Sequence, residues 1–196
     1  MHSLDALTLP ALDSRRSVPT RQLAAPGPDQ AQLLRMLQTA VRVPDHGKRV
    51  PFRFVRIEGD VRRALADAAE ARLREREPDA GPAVTEKLRT RFTVPPLTLA
   101  VIARLGHDDK IPASERAATA SCVCLLLLQA AQAEGFGAQW LTGWPAYDRT
   151  FLEGVLGLSV DEQLAGTIAI GTPLVEAPER ERPDVATLLT EWTPLA

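Results

Sequence analysis

The chain has 196 residues, with 23 Lys and Arg against 25 Asp and Glu, so its formal net charge is −2. This length suits one domain over residues 1–196, and a hydrophobic fraction of 45% is ample for a core. The near-neutral balance lacks the basic surplus that is typical of nucleic-acid binding.

The chain carries no visible targeting or membrane signal. Its first residues lack the basic and then apolar pattern of a secretory signal. No stretch approaches the roughly 18 uninterrupted apolar residues that predict a membrane-spanning helix. We therefore expect a cytoplasmic protein that contacts neither a membrane nor nucleic acid.

Short strands and helices alternate along the predicted chain. Residues 4–12 predict a first helix that Pro10 shortens or kinks and that ends near Asp13. Asp29 is the predicted N-cap of a helix that runs to about Arg42. The other predicted elements are strands at 52–57, 97–103, 137–142 and 163–170, two helices separated by a break at 78–82, and helices at 113–134 and 148–155.

The helix at 113–134 is the longest periodic element, and it is apolar on nearly every side. Such a helix must be buried on every side, as a central core helix, as the seam of a dimer, or as both. Cys122 and Cys124 lie two residues apart within it, on nearly opposite sides. They can therefore neither form a disulfide nor share a metal, and we expect both to be buried.

Several signals of other functions are absent from the sequence. No strand is followed by Gly-x-Gly-x-x-Gly, and neither a P-loop nor a Gly-x-Ser-x-Gly motif occurs. The three histidines show no metal-binding spacing, so no metal site is predicted. Residues 62–91 carry eight cations against six carboxylates, a mixture that is typical of a solvated helix face, and we assign them no function.

Two polar stretches remain as candidates for a site. Ser14-Arg15-Arg16-Ser17 places two cations between hydroxyls after the first helix, and Pro44-Asp45-His46-Gly47-Lys48 is a loop with an imidazole and a cation. Together they suit a phosphorylated ring cofactor, because arginine donates two parallel N–H groups to phosphate. Taken alone, the arginine pair also fits a surface pair at a helix C-terminus, and His46 fits an ordinary loop histidine.

Four blocks in register resemble the FMN-dependent nitroreductase family, and most of all its short YdjA-like subgroup. They are Ser14-Arg15-Arg16-Ser17, Pro44-Asp45-His46, Glu134-Gly135-Phe136-Gly137 before Trp140, and Ile170-Gly171-Thr172-Pro173. Their order and spacing hold over roughly residues 4–175. The resemblance implies an α+β fold, a nitroreductase-like α/β sandwich. Its central mixed sheet of four to five strands would be flanked by helices in an entwined homodimer, with two FMN molecules at the subunit interface.

The resemblance also implies which residues contact FMN. The phosphate and ribityl chain would be held by three neighbouring residues and one arginine of the tail, namely Arg15, Arg16, Ser17 and Arg182. Arg42 and His46 would reach FMN from the other subunit. The C-terminal tail, residues 174–196, is expected to pack on the partner subunit, because a chain end carrying Trp192 normally buries it.

The strand before the Gly-Trp-Pro turn is implied to lie against the flavin ring. Its three matching residues are Trp140, Leu141 and Thr142, although a strand tryptophan is just as often part of a core. One departure is that the family often has Gln-Pro-Trp where this chain has Val50-Pro51-Phe52. The loss of that amide removes a potential flavin contact.

The implied activity is that of an FMN-dependent NAD(P)H oxidoreductase. Hydride would pass from NAD(P)H to flavin N5 and then to an electron-poor acceptor such as a nitroaromatic or a quinone, in a ping-pong sequence. No protein residue is assigned as acid or base, because the flavin carries the chemistry. Two alternatives stay open: a non-catalytic flavin-binding protein with a degraded site, and a relative with other flavin chemistry.

Overall fold

The computed structural model describes residues 9–194, which form a sheet between two layers of helices. The strands are β1 (Leu23–Ala24), β2 (Phe52–Glu58), β3 (Leu97–Arg104), β4 (Gly137–Leu141) and β5 (Glu162–Pro173). The helices are α1 (Leu9–Asp13), α2 (Gln30–Ala40), α3 (Val61–Arg76), α4 (Pro82–Thr93), α5 (Ala113–Ala133) and α6 (Arg149–Gly154). The predicted first helix ends at Asp13 as expected, and the part of it before residue 9 lies outside the described residues.

The centre of the sheet is β3, because its sequence is apolar on both faces. Leu99 and Val101 point into one core cluster, which also contains residues of α2 and α5. Ala100 and Ile102 point the other way, into a second cluster with residues of α3, α4 and α6. The prediction of a strand buried on both faces is confirmed.

The neighbours of β5 define the topology of the sheet. It pairs with β3 on one side and with β4 and then β1 on the other, while β2 pairs with the far edge of β3. Every pairing within residues 9–194 is antiparallel, so the expected mixed sheet is wrong for this part of the chain. Two helices separate β2 from β3, and two helices and one strand separate β3 from β5.

Helix α5 packs on α2 and against β3, β4 and β5. Val123, Cys124 and Leu127 are fully buried, but Leu125 is 43% exposed and Cys122 is also exposed. The predictions that this helix is buried on every side and that both cysteines are buried are therefore wrong for the single chain. Length and composition would let α5 cross a bilayer, but half of its apolar window is buried inside the fold, as in a core helix.

Local signals set several of the element boundaries. Asp29 caps α2 in a reciprocal capping box, in which its carboxylate accepts from the N–H of Gln32 at 2.8 Å. The helix ends at Ala40, two residues before its predicted end. Strand β5 continues past residue 170 to Pro173, because its last residues pair with β4 and with β1. Strand β1 lies in the proline-rich connector, where the sequence predicted no strand.

The tail after β5 runs along the surface of the single chain. Ala177 is buried at 9% exposure, but Leu189 and Trp192 are 79% and 84% exposed. The packing of residues 174–196 on a partner subunit stays a prediction.

A buried carboxylate fixes the chain that follows β4. Asp148 is 6% exposed and caps α6 by accepting from the N–H of Phe151 at 2.8 Å. It also accepts from Arg72 at 2.9 and 3.0 Å and from Arg76 at 2.6 Å, which anchors α6 to α3. The hydrogen bond from Arg72 holds the pKa of Asp148 well below its usual range.

We predict that Asp148→Asn destabilises the fold by about 3 kcal/mol at pH 7, because it leaves two arginines facing a neutral amide. Urea unfolding followed by circular dichroism measures this change. Asp60→Asn is the matched control, since the Asp60 side chain is 91% exposed in its pair with Arg63. The control should change the free energy of unfolding by less than about 0.5 kcal/mol.

The difference in stability between wild type and Asp148→Asn should also depend on pH. A carboxylate whose folded pKa is depressed adds stability above its unfolded pKa, about 3.9 for Asp, and loses it as the pH falls through the folded pKa. The stability difference between wild type and Asp148→Asn should therefore be full at pH 7 and shrink below about pH 4. A difference that stays constant down to pH 3 would contradict the role given to this carboxylate.

Candidate functional site

The segment after α1 is anchored to the end of α5 by one glutamine. Gln132 accepts from the backbone N–H of Arg16 at 3.3 Å and donates to the hydroxyl of Ser14 at 2.8 Å. The Ser14 hydroxyl in turn donates to the carbonyl of Ala11 at 2.9 Å. These bonds fix where the chain leaves α1.

The same segment then lies directly on the start of β4. Val18 donates its N–H to the carbonyl of Ala138 at 3.0 Å. A glycine at position 137 permits this approach, because a Cβ there would stand 2.9 Å from the side chain of Val18. Held on both sides, the segment presents Arg15 and Ser17 at the surface between α5 and β4.

Arg15 is a cation with several cationic neighbours. It is half-buried and donates to the hydroxyl of Ser17 at 3.3 Å, and within residues 9–194 it forms no ion pair with a carboxylate. Burial lowers the pKa of Arg15, and the charges of Arg182, Arg16 and Arg180 lower it further. A group of like charges that is not neutralised locally is a site for an anion.

A carboxylate of the tail supplies part of the missing negative charge. Glu179 forms an ion pair with Arg16 and accepts from Arg182 at 2.9 and 3.1 Å. The Glu179 side chain is 51% exposed, so a bound anion can displace it into solvent at small cost. A cavity of about 370 Å³ lies here, lined by Leu12, Asp13, Arg15, Glu179 and Arg182.

A second cavity of about 460 Å³ shares Arg15 with the first. Its lining is basic at one end and largely apolar along its walls, and consists of Arg15, Ser17, Leu125, Leu128, Trp140 and Thr142. We call it the ring groove. Its size is that of a small-ligand site, and an aromatic side chain forms part of its wall.

A β-bulge and a glycine hold Trp140 in the ring groove. The pairing of β3 with β5 shifts register between Val101 and Ile102, which leaves Ala165 as an extra residue on β5. Trp140 donates its indole N–H to the carbonyl of Ala165 at 3.1 Å. The indole lies over Gly166, where an added Cβ would stand 1.9 Å from the indole nitrogen. The orientation of Trp140 is therefore set by backbone on β5.

Leu141 and Thr142, the other two strand residues that were predicted to contact the ring, lie on different sides of the strand. The side chain of Thr142 lines the ring groove, whereas Leu141 packs on the opposite side with Val18 and Leu23. The alternation of side chains along a strand accounts for this difference. The carbonyl of Thr142 accepts a hydrogen bond from Arg91 of α4, a residue that the sequence assigned to a solvated face.

Arg42 and His46 do not line either cavity of the single chain. Arg42 is exposed after α2, and Nδ1 of His46 lies 2.7 Å from Oε2 of Glu115 in the first turn of α5. Leu128 lies thirteen residues along the same helix, about 20 Å away along its axis at 1.5 Å per residue. The contacts of Arg42 and His46 with a cofactor stay a prediction that requires a second subunit.

The sequence did not identify several residues that line the cavities, among them Glu179, Leu125 and Leu128, nor Arg91, which binds the carbonyl of Thr142. The apolar run of α5 identified Leu125 and Leu128 as buried but not as walls of a groove. Glu179 and Arg91 lie in charged stretches, where composition cannot distinguish a buried contact from a solvated one.

The site is suited to an anionic ligand that carries an aromatic ring. Four neighbouring arginines, Arg15, Arg16, Arg180 and Arg182, carry more N–H donors than Glu179 accepts from, so donors remain for a phosphate. Arg15 has no carboxylate partner within residues 9–194. The ring groove beside it has the apolar walls and the tryptophan that favour a planar ring. The fold is α+β, and these features of the site would fit a phosphorylated ring compound such as FMN.

The chain belongs to the nitroreductase family, whose family profile, described as "Nitroreductase family", matches residues 12–172. It is therefore an oxidoreductase of that family. The "Putative NAD(P)H nitroreductase" of Haemophilus influenzae is 33% identical over 180 residues, which cover 91% of this chain and 93% of the relative. The Escherichia coli protein "Putative NAD(P)H nitroreductase YdjA" is 30% identical over 174 residues, covering 89% and 91%. The resemblance to the YdjA-like subgroup is confirmed.

Solved structures agree on the fold. The "Nitroreductase-like Family Protein" of Bacillus cereus superposes with a TM-score of 0.80 at 21% identity and covers 98% of both chains. A putative nitroreductase of Desulfovibrio desulfuricans, solved in complex with FMN, has a TM-score of 0.72 at 21% identity, covering 97% of this chain and 99% of the other.

We predict that Arg15→Ala weakens FMN binding by about ten- to a hundredfold, because a charged donor to phosphate contributes about 1.5–3 kcal/mol. Titration of the apoprotein with FMN, followed by quenching of flavin fluorescence, gives the dissociation constants. The melting temperature of the apoprotein should not fall, because removal of Arg15 relieves repulsion among four arginines.

Arg21→Ala is the matched control, because Arg21 lies in the same segment but is exposed and lines neither cavity. It should bind FMN like the wild type. Equal dissociation constants for Arg15→Ala and the wild type would exclude Arg15 as the phosphate anchor.

Proposed function

We propose that this protein is an FMN-dependent NAD(P)H oxidoreductase that reduces an electron-poor acceptor such as a nitroaromatic or a quinone. The observation that carries the proposal is Arg15, a half-buried cation next to the ring groove that has no carboxylate partner within residues 9–194. Membership of the nitroreductase family supports it, as does the FMN complex of the Desulfovibrio relative.

The residues of the chain bind and orient the cofactor. Arg15 anchors the phosphate by charge, Ser17 adds a neutral hydrogen bond, and Arg16 and Arg182 exchange part of their contact with Glu179 for the phosphate. Trp140 supports the ring from β4 in an orientation that its bond to β5 fixes.

Within one chain, the described residues that line the ring groove include no general acid or base. Its lining contains one ionisable side chain, Arg15, beside hydroxyl and apolar groups. FMN bound in the groove would supply the hydride chemistry between NAD(P)H and the acceptor. Leu125 and Leu128 give the groove one apolar wall, which would limit the access of water. If the two substrates share one site against the ring, they would bind in turn, in a ping-pong sequence.

A homodimer is part of the proposal. Along α5 the side chains of Ala118, Cys122 and Leu125 remain exposed at a spacing of three to four residues, and therefore form one stripe on the helix. The stripe includes apolar side chains and ends at the ring groove, to which Leu125 belongs. A second copy related by a two-fold axis would bury the stripe against itself.

The same symmetry brings a distant loop to the ring groove. Glu115, at the start of the stripe, holds His46 at one end of α5, and the ring groove lies near the other end. Packing of two α5 helices in opposite directions places His46 of the partner subunit beside the groove, with Arg42 nearby in sequence. The exposed tail side chains Leu188, Leu189 and Trp192 are likewise proposed to pack on the partner.

We predict that the purified protein reconstituted with FMN is yellow and that anaerobic NADH or NADPH bleaches its flavin absorbance. A nitroaromatic or quinone should then restore the absorbance. The Arg15→Ala variant, which should retain little flavin, is the control for nonspecific colour. No spectral change on adding FMN would exclude the oxidoreductase, and bound flavin that neither nucleotide reduces would favour a flavin-binding protein without this activity.

A second prediction concerns the dimer. Leu125→Glu should convert the protein to a monomer and lower its FMN content, because the charge lies on the exposed stripe rather than in the core of one chain. Sedimentation velocity gives the mass, and the spectrum gives the flavin content.

Val84→Glu provides the control for a charge on an exposed helical position, since Val84 of α4 is 48% exposed and lies on the other side of the sheet. It should leave the dimer unchanged. A Leu125→Glu protein that remains dimeric and fully loaded with FMN would rule out the α5 stripe as the interface.

A further inference from the structure

One arginine on the far side of β4 is charged and has little to neutralise it. Arg91, in the last turn of α4, donates from Nη1 to the carbonyl of Thr142 and from Nη2 to the hydroxyl of Thr167 at 3.0 Å. The Thr167 hydroxyl donates onward to the carbonyl of Leu141 at 3.3 Å. Nε of Arg91 is buried and has no hydrogen-bond partner among the described residues.

The partners of Arg91 are all neutral. Within residues 9–194 it forms no ion pair, whereas Arg72 and Arg89, on the same side of the sheet, each contact two carboxylates. Burial lowers the pKa of Arg91 to about 10. This value is still well above neutral pH, so the guanidinium remains charged. A half-buried cation is costly when a carbonyl, a hydroxyl and the face of Phe92, 5.4 Å away, are its partners, and it suggests a role beyond stability.

Arg91 and the ring groove lie on opposite faces of the sheet, with the backbone at the end of β4 between them. Helix α4 contributes to the core cluster on the face of the sheet opposite α5, while Trp140 packs on the α5 side. The residue whose carbonyl Arg91 binds, Thr142, lines the ring groove with its side chain. The guanidinium thus stands directly behind the end of β4.

We propose that Arg91 is a positioning residue that places an unneutralised positive charge behind the ring-binding end of β4 and so favours the reduced state of flavin in the groove. This inference rests on the proposed function, because it requires FMN to bind there.

The electrostatic reason follows from the charge balance of hydride transfer. The oxidised flavin ring is neutral, and a hydride brings one proton and two electrons, so the ring gains one negative charge while NAD(P)H becomes NAD(P)⁺. A fixed cation close to the ring stabilises that charge in a site of low dielectric constant. The cation needs no rearrangement during the reaction, since two hydrogen bonds already hold it.

A purely structural role is the competing explanation, because Arg91 also ties α4 to the end of β4 and to the middle of β5. The two roles differ in what a neutral substitute does. Arg91→Lys keeps the charge but loses part of the hydrogen bonding, whereas Arg91→Met removes the charge and Arg91→Gln removes it but keeps a donor. If the charge of Arg91 matters, the Met and Gln variants should behave alike. If its hydrogen bonds matter, the Lys and Met variants should behave alike.

The experiment measures the midpoint potential of bound FMN by equilibration with a reference dye, together with FMN affinity and the melting temperature. We expect Arg91→Met and Arg91→Gln to weaken binding of reduced FMN relative to oxidised FMN by about tenfold, which for a two-electron couple lowers the potential by about 30 mV. Arg91→Lys should remain close to the wild type.

Arg62→Met is the matched control. Arg62 is also half-buried, and it donates at 3.0 and 2.6 Å to the carbonyls of Thr93, the last residue of α4, and of Pro95. It does not contact β4 in the described structure. This variant should lower the melting temperature without moving the potential.

Each outcome is decisive. Unchanged potentials in both neutral variants overturn the proposal, as does an equal fall in Arg91→Lys, which would assign the effect to hydrogen-bond geometry. Loss of FMN binding or of folding in both neutral variants would make Arg91 a binding or structural residue and also overturn it. Failure of the wild type itself to bind FMN would instead refute the proposed function, so the two failures are distinguishable.

Discussion

The site depends on the burial of positive charge that is not matched by carboxylates. Arg15 lies on the outer side of β4, and Arg91 lies behind its end. Taking a guanidinium out of water is costly unless a counter-charge or several hydrogen bonds accompany it, and both residues rely on hydroxyl and carbonyl groups within the described chain. The rest of the fold makes this possible, because β4 is held between β5, α5 and the segment after α1. An anion at Arg15 would relieve part of the strain, so the apoprotein is organised around a charge that its ligand is proposed to supply.

Backbone features hold the groove in shape. Gly166 has no side chain and so leaves room for the Trp140 indole. The bulge residue Ala165 provides the carbonyl that accepts the hydrogen bond from the indole N–H. Gly137 lets the arginine-bearing segment reach β4. The fixed part of the site, β4 on β5, is rigid and preorganised, whereas Glu179 of the exposed tail is the adjustable part. In the proposed complex, the ring would bind against this fixed wall, and the phosphate would replace part of the contacts of an exposed carboxylate.

The single chain leaves features that a second copy would complete. The exposed stripe of α5 begins beside Glu115, which holds His46, and ends at the ring groove. In the proposed dimer, a two-fold axis across the stripe would bring together candidate residues that are far apart within one chain. The assembly would then be coupled to the site, since loss of the interface would remove one wall of it.

Sequence patterns predicted much of the fold and part of the site. The capping box at Asp29, the doubly buried run of β3 and the apolar α5 are local signals, and the structure confirms the elements that they predict. The four motif blocks identified the family without any contact information. The mixed sheet was wrong for the described residues, because strand direction depends on how distant elements pair. Cys122 is exposed in the single chain, and its burial in a dimer stays a prediction. Leu141 packs away from the groove, and its contact with a flavin likewise stays a prediction.

The chemistry of individual charges was decided by tertiary structure alone. Residues 62–91 have the composition of a solvated face, and most of their arginines do pair with carboxylates, but Arg91 reaches β4 instead. Likewise, Arg15 and Arg16 are adjacent in sequence, yet only Arg16 pairs with Glu179 of the tail. Sequence determines which groups are ionisable and which helices and strands they belong to. For Arg16 the neutralising carboxylate, Glu179, lies far along the chain in the tail, and only folding brings the two together.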